Sequence, residues 1–334
     1  MKVFIQASSA ITPQSTFDPN EYLKDWITPT GDYLTAHEPN YKGLLDPKLA
    51  RRMSPIIKMS VATTLEVLKQ SGVDQPGAII VGTGLGCIKD TEKFLEDVVQ
   101  GDEGVVSPTA FIQSTHNTVA GQIALMLECY EDNLTYVNRG HSFENALLDA
   151  MLRIEEGGDN ILLGGADEMT NKVHSILAKM PCNEEVILGE GACFFMLTAK
   201  PTAESVCVEG ITTFNEIHHN TLGQIVETFL DEYHHSTDMI DAIILGSVEP
   251  LNDRYYSRLL ALFDDNIPVI ASKRVTGEYF TASAYNYDLA MKMLNGQHIY
   301  PETLVSGNKD KKLQKILIYN HFKGANHSLS LVSL

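Results

Sequence analysis

The sequence has few cysteines. It contains five in 334 residues, an odd number with no Cys-x-x-Cys pair: Cys87, Cys129, Cys182, Cys193 and Cys207. This pattern excludes a disulfide framework and a zinc knuckle, and it predicts reduced, mostly buried thiols.

Positive charge is also scarce. The chain carries 25 Lys and Arg against 43 Asp and Glu, which gives a net charge of −18. Such a charge repels nucleic acids and anionic membrane surfaces, so we expect neither as a partner.

Long apolar runs and low-complexity segments are missing. No apolar segment reaches the roughly 18 residues of a membrane span, and the N-terminal stretch is typical of a strand rather than a signal peptide. With 44% hydrophobic and 20% charged residues, the chain is expected to be globular, with more than one small core. We therefore expect a cytoplasmic protein.

One stretch in the first half predicts a strand, a tight turn and a helix. Residues 134–137 alternate as a short strand, 138–140 form a turn, and apolar residues between Phe143 and Ile154 recur at helical spacing. This geometry exposes the first helical residues, as in a nucleophile elbow. The expected nucleophile, however, is missing from the turn.

The same stretch resembles the elbow of the β-ketoacyl synthases of the thiolase-like superfamily, which reads roughly Cys-x-Ser-Gly-x-x-Ala-Ile. Ser142, Ala146 and Leu147 fall into that register and place Gly140 at the position of the cysteine. A slip of one residue would place Arg139 or His141 there. None of these three side chains is a thiol.

Further segments extend the resemblance over nearly the whole chain. Residues 121–124 read Gly-Gln-Ile-Ala as in the family, and 320–326 resemble the loop Asn-Ser-Phe-Gly-Phe-Gly-Gly-x-Asn, which makes Phe322 and Gly324 gating-loop positions. The resemblance implies a thiolase-like layered αβαβα fold of two related halves. We expect the halves to span 1–205, with an interface excursion at 14–50, and 206–334, which looks trimmed.

The family's chemistry is decarboxylative condensation, which needs a thiolate and two imidazoles. The resemblance places Leu245 at the first histidine position and Glu278 at the second, whereas Lys273 matches the family's lysine. It therefore implies a site that is dead for condensation, with no catalytic residue, and we expect no cofactor.

Three other site readings receive little support. A hydrolytic triad could be drawn from Ser142, His141 and Glu144. Side chains at this spacing on a helix, however, do not all converge on one point. The glycine turn at 82–87 lacks the final glycine of a dinucleotide fingerprint. Adjacent histidines at 218–219 and 234–235 do not face one metal, so we expect no metal site.

The resemblance thus predicts a non-catalytic subunit similar to a chain length factor. It would pair with an intact ketosynthase as a heterodimer, or with itself as a homodimer. The acyl carrier protein would dock mainly on the partner. By resemblance, the tunnel or interface positions are Phe111, Ile112, Ser114 and Asn117. The alternatives are a divergent acyltransferase or thioester hydrolase and a homodimeric acyl-binding homologue.

Overall fold

The computed structural model describes residues 2–28, 30–101, 108–177, 179, 187–296 and 299–334. The strands are β1 (Val3–Ile11), β2 (Ala78–Gly82), β3 (Asp132–Tyr136), β4 (Ile161–Asp167), β5 (Gly191–Thr198), β6 (Val206–Phe214), β7 (Ala242–Gly246), β8 (Val269–Ala271), β9 (Leu304–Ser306), β10 (Lys315–Phe322) and β11 (Asn326–Ser333). The helices are α1 (Pro47–Ala50), α2 (Pro55–Ser71), α3 (Ile88–Gln100), α4 (Pro108–Gln113), α5 (Thr118–Leu127), α6 (Ser142–Glu155), α7 (Asn171–Leu177), α8 (Leu222–Glu232), α9 (Arg254–Leu260), α10 (Lys273–Thr276) and α11 (Ala284–Leu294).

The strands form a sheet whose order repeats itself. The order is β3-β2-β4-β5-β1-β6-β11-β10-β7-β8-β9. In the first half, β5 is antiparallel to β1 and β4 is antiparallel to β5, whereas β2 is parallel to β4 and β3 is parallel to β2. In the second half, β11 is antiparallel to β6 and β10 is antiparallel to β11, whereas β7 is parallel to β10 and β8 is parallel to β7. The described strands are therefore arranged as two related halves. The boundary at 205/206 stays a prediction.

Alternating side chains on the strands create the layers. In β5, Cys193 and Phe195 face a central apolar cluster shared with α6 and α11, whereas Phe194 and Met196 face a second cluster built with α2 and α5. The strands of the second half likewise face the central cluster on one side and a third cluster with α8 and α9 on the other. Because successive strand side chains point to opposite faces, both faces of each half are covered. The predicted αβαβα layering is confirmed.

The sequence predicts a helix that starts at Pro55 and stops before Gly72, with an apolar stripe of Ile57, Val61, Leu65 and Leu68, and helix α2 has these ends. Pro55 occupies the first turn, where its missing N–H costs no hydrogen bond. Gly72 ends the helix in the left-handed conformation, with φ of 67°, which glycine adopts without strain. The buried positions include the predicted Ile57, Val61 and Leu68.

Helix α9 differs in its bounds from what the sequence predicts. The sequence predicts a helix over 255–263, whereas α9 begins at Arg254 and ends at Leu260. It begins there because the carboxylate of Asp253 accepts hydrogen bonds from the backbone N–H groups of Tyr255 and Tyr256, satisfying two otherwise unpaired donors. Helix α8 was not singled out from the sequence.

The excursion at 14–50 packs onto the body of the protein. The Tyr22 hydroxyl donates to Asp288 Oδ2 at 2.8 Å and lies 2.9 Å from the Tyr285 hydroxyl. Farther along, the Ala36 backbone N–H donates to Glu190 Oε1 at 3.1 Å. These contacts tie the excursion to α11 and to the turn before β5. Its proposed place at a subunit interface stays a prediction.

Candidate functional site

The turn between β3 and α6 carries a strained residue. It forms one turn of 3₁₀ helix over Arg139–His141, and Arg139 has a φ of 50°, a conformation that costs a non-glycine residue energy. The Ser142 hydroxyl closes the turn, since it donates to the Arg139 carbonyl at 2.7 Å and accepts from the Asn138 N–H at 2.9 Å. The strain thus falls on Arg139 rather than Gly140, and neither residue is a thiol.

The end of β10 and the start of β11 fill the space above Gly140. A Cβ atom at Gly140 would lie 2.4 Å from Phe322 Cβ and 3.1 Å from Asn326 Cβ. Cβ contacts below 3.0 Å essentially never occur, so this packing requires glycine. The Phe322 ring stacks on Phe280, with centroids 4.7 Å apart.

Lys273 and Glu278 form a buried ion pair. Their side chains are 3% and 7% exposed, and Lys273 Nζ lies 2.7 Å from Glu278 Oε2. The ammonium also donates to the His321 carbonyl at 3.2 Å. Burial raises the pKa of Glu278, whereas the nearby ammonium opposes that rise. Within the described part of the chain, Glu278 Oε1 has no hydrogen-bond partner.

Leu245 is fully buried near the end of β7. Its side chain belongs to the outer apolar cluster that also contains Tyr256 and Tyr319, and its carbonyl accepts from the N–H and hydroxyl of Ser272, each at 3.1 Å. Ser272 directly precedes Lys273 in the chain. Leu245 therefore contributes packing and backbone contacts, and its side chain offers no proton donor.

Asp167 forms hydrogen bonds to both halves of the chain, next to the glycine turn at 82–87. Its Oδ1 accepts from the Thr83 hydroxyl and from the N–H groups of Gly84 and Leu85, while Oδ2 accepts from the N–H and hydroxyl of Thr281. The amides of the glycine turn are thus used within the protein. This weakens the dinucleotide alternative, which needs such amides for a phosphate.

The family comparison agrees with this arrangement. The model of the β-ketoacyl synthase N-terminal domain matches residues 26–245, which is more than half of the chain. The chain belongs to the β-ketoacyl synthase family. No curated protein matches it in a sequence search.

Solved structures of β-ketoacyl synthases share the fold across the whole chain. The ishigamide ketosynthase/chain length factor matches with a TM-score of 0.78 at 15% identity, covering 99% of this chain and 98% of that one. The ketosynthase ApeO in complex with its chain length factor ApeC, from Xenorhabdus doucetiae, gives 0.77 at 16% identity over 99% and 98%. A β-ketoacyl synthase from Burkholderia phymatum gives 0.78 at 13% identity over 99% of both chains. At these identities the likeness shows the fold alone.

A buried histidine–aspartate pair lies near the turn at 138–140, and sequence reasoning missed it. His321 Nε2 lies 2.9 Å from Asp253 Oδ2, its Nδ1 accepts from the Gly324 N–H at 3.0 Å, and its ring stacks on Tyr256. The available signal was the histidine standing at the serine of the family's Asn-Ser-Phe loop. His321 shapes the loop that carries Phe322 and Gly324.

The side chains of the alternative triad do not converge. The Ser142 hydroxyl is used in the turn, His141 Nε2 lies 3.0 Å from the His327 carbonyl, and Glu144 Oε1 accepts from Ser328 at 3.0 Å. Burial lowers the pKa of His141 and lowers that of His327 to about 3. Both imidazoles are therefore neutral near pH 7 and held by structural contacts.

The described thiols lie in buried surroundings. Burial raises the pKa of Cys87, Cys193 and Cys207, the last to about 11, and Cys129 is also buried. Because the thiolate is the nucleophile, these raised pKa values oppose covalent chemistry at three of the thiols. Cys182 lies outside the described residues.

The four positions predicted for a tunnel or interface lie near one another at the surface. Phe111 and Ile112 are 57% and 61% exposed, and the Ser114 carbonyl accepts from the Thr91 hydroxyl of α3 at 3.0 Å. Asn117 is exposed at the start of α5. Phe111 also contacts Phe94 of α3, with ring centroids 5.5 Å apart.

The described part of the chain contains no group of three or more His, Cys, Asp or Glu side chains arranged to hold a metal ion. Among the described helices, none has the length and apolar character needed to cross a membrane.

Proposed function

We propose that the chain is a non-catalytic β-ketoacyl synthase-like subunit of the chain length factor type. It pairs with an intact ketosynthase in fatty acid, polyketide or polyene synthesis. The observation that carries this proposal is the packing of Phe322 against Gly140, since the position matching the family's cysteine has neither a thiol nor room for one.

The charges around this position support the same conclusion. Condensation develops negative charge on an oxygen, which donors must stabilise. Glu278, at the second histidine position, is a carboxyl group paired with Lys273, and Leu245 is apolar. The ammonium of Lys273 is therefore already engaged, and neither of the two histidine positions supplies a donor.

The outer edge of the first half offers a surface for a partner. Strand β3 is the last strand at its end of the sheet, and edge strands present unpaired backbone groups that accept another strand. Tyr130 and Val137, which flank β3, are 95% and 47% exposed. This edge would pair with the corresponding strand of a ketosynthase.

Helices α3 and α4 would extend that interface. Helix α3 has no buried residue, and its exposed Leu95, Val98 and Val99 add to the apolar surface of Phe111 and Ile112. Exposed apolar patches of this kind mark interaction sites. Bulk on this surface would limit how far the partner's acyl chain extends.

The acidic charge assigns carrier-protein docking mainly to the partner. A chain of net charge −18 repels an acidic acyl carrier protein, because like charges oppose association. One structure that shares the fold is a type II polyketide synthase acyl carrier protein in complex with its ketosynthase. We expect the acyl carrier protein to dock mainly on the ketosynthase that pairs with this chain.

Co-expression with an intact ketosynthase tests the proposal. We expect a heterodimer that buries more than roughly 2,000 Å², as obligate interfaces do, and condensation by the pair but not by this chain alone. A stable dimer of this chain that never binds a ketosynthase would instead support the homodimeric alternative. Turnover or covalent labelling of the isolated chain by an acyl thioester would support the acyltransferase or hydrolase alternative.

A further inference from the structure

The turn before α6 holds an arginine in a strained backbone conformation. Arg139 has a φ of 50°, in the left-handed region that is costly for a residue other than glycine. The hydrogen bond that closes the turn runs from the Ser142 hydroxyl to the Arg139 carbonyl. Glycine would accept this bond equally well, because only the backbone is used. The fold of the turn therefore gives no reason for an arginine side chain.

The side chain of Arg139 lies at the surface. The residue is exposed, and within the described part of the chain no ion pair or hydrogen bond involves its guanidinium. Arg153 on helix α6 differs, since its guanidinium pairs with Asp132 at 2.5 Å and with Asp149 at 3.0 Å. Although the chain has a net charge of −18, no carboxylate of the described residues neutralises Arg139.

Arg139 lies beside the edge of the sheet that is proposed to meet the partner. Strand β3 ends at Tyr136, and the three residues that follow it, Val137, Asn138 and Arg139, are exposed. Two corresponding edge strands related by a two-fold axis run antiparallel, so the residues after one strand lie opposite those before the other. Arg139 would therefore face the segment that precedes the edge strand of the ketosynthase.

We propose that Arg139 determines the choice of partner, and that its guanidinium forms an ion pair with a carboxylate in that segment of the ketosynthase. A guanidinium donates two parallel hydrogen bonds to a carboxylate, which a lysine cannot do. Charge pairs across an interface fix the partner and the register. The proposal rests on the proposed function, because it requires pairing along β3. Arginine at a strained position is then explained by the partner rather than by the fold of this chain.

Two substitutions at Arg139 test the ion pair, with the ketosynthase of the co-expression experiment as the probe. Arg139→Gly removes the guanidinium and relieves the strain, so the chain should unfold at no lower urea concentration than the wild type. Its pair should nevertheless exchange a labelled copy of this chain roughly 30-fold faster, as expected when a buried charge pair loses one member. Arg139→Glu should not form the pair. A folded Arg139→Glu chain that pairs as the wild type does overturns the proposal.

Arg258→Glu is the matched control for the change in charge. Arg258 is also exposed, but it lies in α9 of the second half. We expect this variant to pair with the ketosynthase as the wild type does. Equal loss of pairing in Arg139→Glu and Arg258→Glu would show that overall charge controls association, and it would overturn the role of Arg139.

An exchange of charges locates the carboxylate on the ketosynthase. Each Asp and Glu in the segment before its edge strand is replaced in turn by Lys. One of these replacements should weaken pairing with the wild-type chain and restore pairing with Arg139→Glu. If none restores it, the ion pair is overturned, even where Arg139→Gly dissociates faster.

These results are separate from those that test the proposed function. A wild-type chain that never pairs with a ketosynthase would overturn the proposed function. A wild-type chain that pairs, while its Arg139 variants pair equally well, would overturn only the ion pair.

Discussion

Gly140 and Phe322 occupy one space at the turn before α6: the missing side chain of the first makes room for the ring of the second. The two residues are 182 positions apart in a chain of 334, yet a Cβ atom on Gly140 would come within 2.4 Å of Phe322 Cβ. The packing predicts how substitutions at Gly140 will behave.

Gly140→Ala should destabilise the protein by about 1–3 kcal/mol, because the added methyl group overpacks the site. The matched control is Gly121→Ala in α5, where a Cβ atom meets nothing within 4 Å. There we expect a gain of about 0.5–1 kcal/mol, since alanine loses less entropy than glycine in a helix. Urea unfolding of both variants measures the difference, and equal effects would contradict the packing.

Gly140→Cys should not restore condensation. Leu245 still supplies no imidazole and Glu278 remains a carboxyl group, so the oxyanion would lack its donors. Product formation from malonyl and acyl thioesters is the measurement, with the wild-type chain alone as the negative control and an intact ketosynthase as the positive one. Substantial product from the single variant would show that Leu245 and Glu278 are not the two histidine positions.

Lys273→Met should destabilise the protein by about 3–5 kcal/mol, because it leaves the Glu278 carboxyl group buried without its cation. Adding Glu278→Leu should recover most of that loss, since the uncompensated charge is then removed. Denaturant unfolding of the single and double variants gives the coupling free energy between Lys273 and Glu278. The same loss in both would mean that packing of the lysine stem, rather than charge, controls stability here.

Glu168 should make stability depend on pH. Burial raises its pKa to about 7 from the ordinary value of 4.5, so the folded state holds a proton that the unfolded state has released between these values. Its contribution is complete below about pH 4.5 and is lost as the pH rises to about 7, by about 3 kcal/mol. Unfolding free energies of the wild type and Glu168→Gln should therefore diverge over that range. Glu131→Gln, at an exposed position, is the matched control for the substitution itself.

Phe111→Ala should lengthen the products of a reconstituted pair without preventing assembly. The ring is exposed in this chain, and removing it would open the region where the partner's acyl chain is proposed to end. Mass spectrometry of the products gives chain length, and gel filtration gives assembly. Met239→Ala, an exposed apolar position in the second half, should change neither. Unchanged product length with Phe111→Ala would remove this residue from the chain-length role.

The local elements could be predicted from the sequence because their signals are local. Pro55 and Gly72 mark the ends of α2 through backbone conformations that each residue favours. The unbroken apolar run in β5 is likewise typical of a strand that is buried on both faces. The layered fold itself was implied by the resemblance of the motifs to those of the β-ketoacyl synthases.

Only the tertiary structure decided what surrounds the elbow. The sequence determined that no thiol stands at 139, 140 or 141, since this follows from residue identity alone. It did not show that Phe322 fills the space above Gly140, that Lys273 joins Glu278 to the His321 carbonyl, or that Asp253 holds His321. These contacts join residues that are mostly distant in the chain, and their geometry depends on how β7, β10 and the turn before α6 pack together.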